Sequence, residues 1–426
     1  MPIHRRPQIA NGLRVGKVFV AGGLPTVTYN PRASLELEQT FQDYLDERHR
    51  ILSISGPTKT GKTVLVRNML STQDALWLSG GAISSIDGFW ETILDELSVY
   101  TTIEHATDTE ERNSRTASGE IGITIAKGSR GGSSEISSAQ SDRLSRTRPA
   151  ASTARKSLIS AMRAVVIDDF HYIAQPVQLE IVRGLKDLIF EGLPVVVIAV
   201  PHRAYDVVRV EREMTGRVQQ LEVSFWTNQE LMEIATKGFE ALNVGDSGAN
   251  LSSRLVEESF ASPHLMQDFC LNICKDNGIR EAQTKTFKLK APNWSSFFIE
   301  RSSSASKSAF ELLARGPRQR TDRKARALRN GSITDIYGAV LEAIAKTGPL
   351  TSITYENLRT ALKDIMLDEA PQRHEVTRVL EEMSKIAREQ IEGEPVVDYD
   401  DELGTLYISD PYFAYFLRWG RRSTAP

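Results

Sequence analysis

The sequence predicts an α/β fold in which helices cover a parallel sheet, followed by domains that are largely helical. Short β-branched runs alternate with amphipathic stretches over residues 15–200, and after residue 222 the apolar positions follow a helical period. A chain of 426 residues has room for two or three domains, and its hydrophobic fraction of 40% is enough to build buried cores. We therefore expect a multidomain protein with its parallel sheet in the first half.

Composition excludes several classes of protein. The chain has 52 Lys plus Arg and 55 Asp plus Glu, a net charge of −3, which excludes a uniformly basic polymer binder. Only two cysteines occur, which excludes a disulfide scaffold, and Cys270 and Cys274 are predicted to be core thiols of one apolar helix. Because the start has no apolar signal core and no 18-residue apolar run occurs, we expect a cytoplasmic protein with no membrane partner.

A first domain is predicted over residues 1–222. Its strands are short apolar runs at 18–21, 51–54, 75–78, 164–167 and 194–200, and its helices include 35–45, 64–70, 85–100 and 177–189. Residues 101–155 interrupt this pattern, since 18 of these 55 positions are Ser or Thr and none is aromatic. We interpret them as a flexible surface insertion, in which the alternation at 120–127 permits a strand or half a hairpin.

Three further segments follow. Helices at 228–242 and 265–274 predict a helical lid over residues 223–285. Residues 286–330 are Ser-rich and then basic, which predicts a linker; its cationic residues, opposed only by Asp322, are Arg315, Arg318, Arg320, Arg323, Lys324, Arg326 and Arg329. Helices at 336–346, 355–366 and 373–388 precede a hairpin of 396–399 and 405–408, the order of a winged-helix domain at 331–426.

One motif predicts a phosphate-binding loop. The pattern G-x-x-x-x-G-K-[ST] lies between a predicted strand and a predicted helix, and is formed by Gly56, Pro57, Thr58, Lys59, Thr60, Gly61, Lys62 and Thr63. The glycines let successive amides face phosphate groups, Lys62 reaches the β- and γ-phosphates, and the Thr63 hydroxyl holds Mg²⁺. The alternative is a chance Gly-rich turn before a helix.

Two carboxylates end the predicted strand 164–167. Magnesium in such a site needs an acid at the carboxyl edge of the sheet, which we assign to Asp168, and hydrolysis needs a second acid that orients water, which we assign to Asp169. The alternative is a pair of turn or helix-capping aspartates after a strand.

The segments GPTKTGKT, VVIDDF and PVVVIAV resemble those of P-loop ATPases of the AAA+ and STAND type. That group includes archaeal-type ATPases, replication initiators and transposition regulators, and the resemblance implies ATP and Mg²⁺ as ligands and ATP hydrolysis as the activity. It also implies that residues 27–32, with Tyr29 and Arg32, lie on the adenine side. By the same resemblance His202 senses the γ-phosphate and Arg217 is offered to nucleotide across a subunit interface; the alternative for both is a solvated surface residue.

Two departures from that family pattern affect the expected mechanism. The second carboxylate is Asp169 rather than the commoner Glu, so we expect slow hydrolysis. Residues 262–265 (Ser-Pro-His-Leu) occupy the lid position where many relatives carry an arginine, which leaves lid movement driven by nucleotide open.

Two functions compete at this stage. The first is a regulatory ATPase that oligomerises on ATP and acts through a partner protein, a role compatible with bacterial defence or stress signalling. The second is a DNA-loading ATPase that uses the winged helix and the basic run. Residues 331–426 hold ten Lys plus Arg against seventeen Asp plus Glu, and the third helix carries Glu375, Glu381 and Glu382, which favours the protein partner. A nucleotide-binding subunit that never hydrolyses is a third reading.

Overall fold

A computed structural model describes residues 12–99, 102–108, 139–145, 149–200, 216–246, 250–302, 304–318, 323–348, 351–391 and 395–420. Up to residue 222 the helices and strands are α1 (Val15–Val18), α2 (Leu37–Glu47), β1 (Ile51–Ser55), α3 (Lys62–Met69), β2 (Ala75–Ser79), α4 (Ile86–Glu96), β3 (Thr102–Asp108), β4 (Ala139–Ser145), α5 (Ala150–Ala161), β5 (Ala164–Asp168), α6 (Gln175–Phe190), β6 (Val195–Ala199) and β7 (Val218–Glu222).

A five-stranded parallel sheet organises this half of the chain. Its strand order is β2-β5-β6-β1-β7, and Ile51 at the start of β1 pairs with Val195 of β6 and Val218 of β7. Every residue of β1 and β6 is buried, which explains the continuous apolar sequence of β6 and the mostly apolar sequence of β1, whose only polar residues are Ser53 and Ser55. Because the strands are parallel, their carboxyl ends lie at one edge. The predicted α/β class with a parallel sheet is confirmed.

The strand prediction failed for two segments because of their composition. The predicted strand at 18–21 is wrong, because α1 ends at Val18 and the residues after it pack against a later helix, where the Val20 amide donates to Gln267 Oε1. The fifth strand, β7, was not predicted, since its sequence Val-Gln-Gln-Leu-Glu has few apolar residues. It lies at the edge of the sheet, where a strand needs less apolar surface.

The structure differs from the prediction at the end of the insertion, residues 101–155. Strands β3 and β4 form an antiparallel hairpin, with Thr102 paired to Ser145. Helix α5 then begins at Ala150, inside the segment predicted to be flexible, because its Ala154 and Leu158 are fully buried against the sheet-covering helices. The alternating segment 120–127 lies outside the described residues.

After residue 222 the elements are α7 (Asn228–Ala241), β8 (Val244–Asp246), α8 (Leu251–Glu257), α9 (Pro263–Asp276), β9 (Phe287–Leu289), α10 (Trp294–Ile299), α11 (Ser304–Arg315), β10 (Arg326–Ala327), β11 (Ile333–Thr334), α12 (Ile336–Lys346), β12 (Ser352–Thr354), α13 (Tyr355–Ile365), α14 (Arg373–Gln390), β13 (Val397–Asp400), β14 (Thr405–Ile408) and α15 (Pro411–Trp419). The predicted helices at 228–242, 265–274, 336–346, 355–366 and 373–388 are all present within a few residues. Among the described residues, no helix has both the length and the apolar character that a membrane span requires.

The predicted linker over 286–330 is wrong in its described parts. It contains β9, α10 and α11, and its side chains Phe297, Phe298, Leu313 and Leu328 are buried. They belong to one hydrophobic cluster that also includes the buried residues of α7 to α9 and of α12 to α15. The segment is rich in Ser and Arg, so its few apolar residues did not predict buried elements. The lid and the last domain therefore share one core.

The last part of the chain has the predicted order of three helices and a hairpin. Strands β12, β14 and β13 form a three-stranded antiparallel sheet. Helix α15 was not predicted as an element, although Phe413 and Tyr415 are fully buried against the shared core. Cys270 and Cys274 are buried as expected, and burial raises the pKa of both thiols.

We predict that residues 103–144 can be replaced by a short Gly/Ser turn without loss of the sheet. Strand β3 pairs with β4 and with no strand of the five-stranded sheet, and the residues paired at its base are only about 5 Å apart. Thermal unfolding should remain cooperative, with a midpoint within a few degrees of wild type. As a positive control, Leu158→Ala should lower the free energy of unfolding by about 2–5 kcal/mol. An insoluble deletion variant would contradict this prediction.

Candidate functional site

The motif residues 56–63 form a tight loop between β1 and α3. Gly61 caps α3 with a φ of 96°, and Lys59 also has a left-handed φ of 60°. Such turns bring successive amide N–H groups toward one point, next to the positive end of a helix. Gly56 is required by packing, since a Cβ there would lie 2.1 Å from the carbonyl oxygen of Val223. The loop has the backbone shape of an anion-binding site.

The Lys62 side chain is held against this loop. Its Nζ donates to the carbonyl oxygens of Gly56, at 2.7 Å, and Pro57, at 2.9 Å. The residue is only 8% exposed, and it lines the cavity beside the loop. An ammonium in that position lies close to any phosphate that the loop amides bind.

The two carboxylates meet the loop at the carboxyl edge of the sheet. Thr63 Oγ1 donates to Asp168 Oδ2 at 3.0 Å, and the Asp169 amide donates to Asp168 Oδ1 at 3.1 Å. Gly80 makes room for them, because a Cβ there would lie 2.2 Å from the Asp169 carbonyl oxygen. A hydroxyl and a carboxylate at hydrogen-bonding distance fit the oxygen ligands that Mg²⁺ prefers.

A cavity of about 510 Å³ extends from this edge toward the lid. This is within the usual range for a small-molecule site. Its walls are formed by the loop 56–63, the carboxylates after β5, the segment 20–32 and the first turns of α9. The cavity thus brings together Lys62, Thr63, Asp168, Asp169, Tyr29 and Arg32, all of which were candidate site residues in the sequence.

Tyr29 and Arg32 line the cavity, but their polar groups are bound to protein. The Tyr29 hydroxyl donates to Glu38 Oε1 at 2.8 Å, and burial together with this carboxylate raises the pKa of the phenol. The Arg32 guanidinium pairs with Glu230 Oε1 at 2.9 Å and donates to the Ser224 carbonyl oxygen at 2.8 Å. Both residues therefore shape the wall of the cavity. Arg32 holds the segment 20–32 against α7, and Tyr29 holds it against α2.

Burial alone raises the pKa of the Glu230 carboxyl. The hydrogen bonds from Arg32 and Thr227 outweigh this effect, so the pKa is lowered overall. The ion pair is therefore charged at neutral pH, although Arg32 is only 4% exposed.

Three further contacts of the loop were not predicted from the sequence. Trp226 Nε1 donates to the Thr60 carbonyl oxygen at 2.8 Å. From α15, Asp410 Oδ1 accepts from Lys59 Nζ at 2.9 Å, and Tyr412 lies beneath the same ammonium. A lone Trp and a helix-capping Asp carry no local signal, because their partners are 166 and 351 residues away in sequence.

The lid position 262–265 contributes a histidine to the cavity. Ser262 caps α9 by accepting from the Leu265 amide, and His264 lines the cavity. The pKa of His264 is lowered by burial and by the nearby positive charge of Lys59. Its ring is therefore neutral at physiological pH.

The structure describes only one of the other two candidates. His202 lies outside the described residues. Arg217 precedes β7, and its carbonyl oxygen accepts from the Ile51 amide at 2.9 Å. This contact is at the amino edge of the sheet, one strand length of about 15 Å from the loop that follows β1.

Part of the predicted basic run is engaged within the protein. Arg323 pairs with Asp335 at 2.6 Å and lies over the ring of Tyr337, while Arg326 pairs with Glu375 at 3.0 Å. Arg320 lies outside the described residues, and those that remain exposed are Arg315, Arg318, Lys324 and Arg329. Fewer cationic side chains of this run are therefore available to bind phosphates than the sequence predicts.

No protein-family model and no curated protein sequence matches the chain. Solved structures do. A Walker-type ATPase of Pyrococcus abyssi is similar with a TM-score of 0.51 at 13% identity, covering 92% of this chain and 99% of that one. The ORC2 protein of Aeropyrum pernix, in ADPNP-ADP complexes, gives 0.48 at 13% identity, covering 96% and 98%. Cdc6p from Pyrobaculum aerophilum gives 0.39 at 12% identity, covering 96% and 99%. The first likeness shows that the chain has the fold of a P-loop ATPase.

We predict that Arg32→Met destabilises the protein by about 3 kcal/mol, because it leaves the buried Glu230 carboxylate without its cation. Chemical denaturation at pH 7 measures this. The pKa of Glu230 is lower in the folded state, so the contribution is present above the ordinary Glu pKa and is lost as the pH falls through the folded-state value.

A matched control for this experiment is Arg50→Met. Arg50 pairs with Glu47 at 3.5 Å on the surface, and its loss should change the free energy of unfolding by less than about 0.5 kcal/mol. If Arg32→Met is as stable as wild type but no longer binds ATP, the result would instead support the adenine-side role that the resemblance implies.

Proposed function

We propose that the chain binds and hydrolyses ATP with Mg²⁺ and works as a regulatory switch of the AAA+ or STAND type. In this proposal the switch self-associates on ATP and acts through a partner protein. One observation carries the nucleotide assignment: the hydroxyl of the loop residue Thr63 lies 3.0 Å from the carboxylate of Asp168, which ends strand β5. That juxtaposition is what a magnesium-nucleotide site requires.

The proposed chemistry divides among four residues. The loop amides and Lys62 hold the β- and γ-phosphates, while Thr63 and Asp168 hold the metal ion directly or through water. Mg²⁺ bound by these residues would neutralise the charge that develops on the phosphates. Asp169 lies beside Asp168 in the cavity wall and orients the attacking water. Its side chain is one methylene shorter than Glu, so we expect turnover to be slow.

Arg217 is proposed to act between subunits. Its backbone is at the opposite edge of the sheet from its own loop, and the residue is half-buried. A guanidinium there can reach the nucleotide of a neighbouring subunit but not its own, so a subunit with ATP gains an interface contact. This would couple ATP binding to self-association.

The acidic hairpin favours a protein partner over DNA. The turn between β13 and β14 carries Asp401 and Glu402, and the neighbouring Leu403 is 67% exposed. Such a turn repels phosphates and offers an apolar side chain, which suits a protein surface. A role in bacterial defence or stress signalling remains compatible with this proposal by analogy only.

One observation favours DNA loading as the second candidate. Glu375, which made the third helix look acidic, is bound to Arg326 and to the amide of Gln372. Arg388 is likewise bound, to Asp398. The exposed face of α14 then carries three basic residues, Arg373, Arg378 and Lys385, against Glu381 and Glu389. Fluorescence anisotropy with duplex DNA tests this. Saturable binding that weakens steeply between 50 and about 200 mM salt would favour DNA loading.

We predict that Lys62→Ala abolishes ATP binding, because the γ-phosphate loses its lysine. Asp169→Asn should keep ATP affinity and stop phosphate release, since it preserves size but removes the charge that orients water. Calorimetry and steady-state phosphate release measure the two effects, and Lys346→Ala, on α12 outside the cavity wall, is the control. Equal ATP affinity of Lys62→Ala and wild type would contradict the assignment. Absence of phosphate release in wild type would favour the subunit that binds without hydrolysing.

We predict that Arg217→Ala binds ATP nearly normally but fails to assemble and hydrolyses poorly. Mixing it with Lys62→Ala should restore part of the activity, because one variant supplies the arginine and the other supplies the intact loop. Analytical ultracentrifugation and phosphate release at several protein concentrations measure this, with the exposed Arg359→Ala as the control. A wild-type rate for Arg217→Ala at every concentration would rule out the trans contact.

A further inference from the structure

Lys59 in the phosphate-binding loop is tied to the last helix of the chain. Its Nζ lies 2.9 Å from Asp410 Oδ1 and 4.4 Å from the centre of the Tyr412 ring. Its backbone has a left-handed φ of 60°, a conformation that costs a side-chain-bearing residue free energy. Lys59 is thus a strained residue of the loop, and its side chain contacts a helix distant in sequence. This combination points to a role for the contact between Lys59 and Asp410.

A second contact joins the same helix to the lid. The Tyr412 hydroxyl lies 2.7 Å from His264 Nδ1. Burial raises the pKa of Tyr412 and lowers that of His264, so the protonated phenol donates to a neutral imidazole. Lys59 and His264 both line the cavity, whereas Asp410 and Tyr412 do not.

The rest of α15 is anchored to the lid independently of the loop. Trp419 Nε1 donates to Glu258 Oε2 at 2.7 Å, Arg418 pairs with Glu258 Oε1 at 2.9 Å, and the Tyr415 hydroxyl donates to the Phe298 carbonyl oxygen at 2.6 Å. Only the start of the helix therefore meets the loop. A shift of α15 and the core attached to it would break the Lys59 contact, and loss of that contact would remove one of the side-chain contacts that hold the helix start, while Tyr412 with His264 remains.

We propose that Asp410 and Lys59 form an autoinhibitory latch in which the Asp410 carboxylate and the phosphates of ATP compete for the Lys59 ammonium. This inference rests on the proposed function of the cavity as a nucleotide site. The carboxylate neutralises a cation that would otherwise attract the phosphates, and its own negative charge repels them. ATP binding therefore loosens the start of α15, and by linkage a docked α15 lowers the affinity for ATP.

The Asp410→Asn variant tests the latch. Asn caps a helix as well as Asp, so the hydrogen bond that the residue 410 side chain accepts from the Tyr412 amide can be retained while the charge is lost. ATP affinity, measured by calorimetry, should rise about three- to tenfold, in keeping with the loss of a partly exposed ion pair and of a nearby repulsion. In a Lys59→Met background the same change should have less than about half of that effect, since the competition is gone.

Asp335→Asn is the matched control. Asp335 also caps a helix, α12, and also pairs with a basic side chain, Arg323 at 2.6 Å, but it does not line the cavity. Its ATP affinity should equal that of wild type. Hydrogen exchange in the unmodified protein gives a second test that needs no variant: ATP should speed exchange of the amides at 412–414 relative to those at 416–419.

The outcomes separate the latch from the proposed function. If wild type binds ATP and the Asp410→Asn affinity is unchanged or lower, the latch is wrong and the nucleotide site stands. If ATP slows or does not alter exchange at 412–414, the latch is likewise wrong. If wild type binds no ATP, the proposed function fails and the latch fails with it.

Discussion

The curled backbone of the loop 56–63 is the constraint on which the site depends. A loop with left-handed residues is costly by itself, and here it is held by contacts from elements distant in sequence. The Thr60 carbonyl is bound by Trp226, the Thr63 hydroxyl by Asp168, and the Lys59 ammonium by Asp410. Each contact comes from a different element, so the sheet, the lid connection and the last helix all contribute to the shape of one loop.

Those contacts also explain why the helical parts cannot be treated as separate modules. The lid and the last domain share one hydrophobic core, and the buried Glu258 of the lid binds both Arg418 and Trp419 of the last helix. The cavity lies between this shared core and the sheet. A ligand that moves either wall would therefore strain or release contacts on the other, which is the physical basis for the proposed switch.

The local features of this fold and site could be predicted from the sequence, whereas the contacts between distant segments could not. The loop, Asp168 and Asp169 were found because motif, strand and helix follow one another in the chain. Arg32 was assigned to the base side by resemblance, although its guanidinium is used by Glu230, and nothing near residue 32 indicates that partner 198 residues away. Residues 286–330 were predicted to be a linker because the segment is polar on average, although it contains the buried Phe297 and Phe298. Strand β7 was missed because an edge strand needs few apolar residues.

The most direct test of the account is a calorimetric titration of the full chain with ATP and with AMP, each in excess Mg²⁺ and in excess chelator. The account predicts one ATP per chain, weaker ATP binding when magnesium is removed, and no saturable binding of AMP, since the β- and γ-phosphates contact the loop, Lys62 and the metal ion. Equal affinity for AMP and ATP, or ATP binding that does not respond to magnesium, would contradict it.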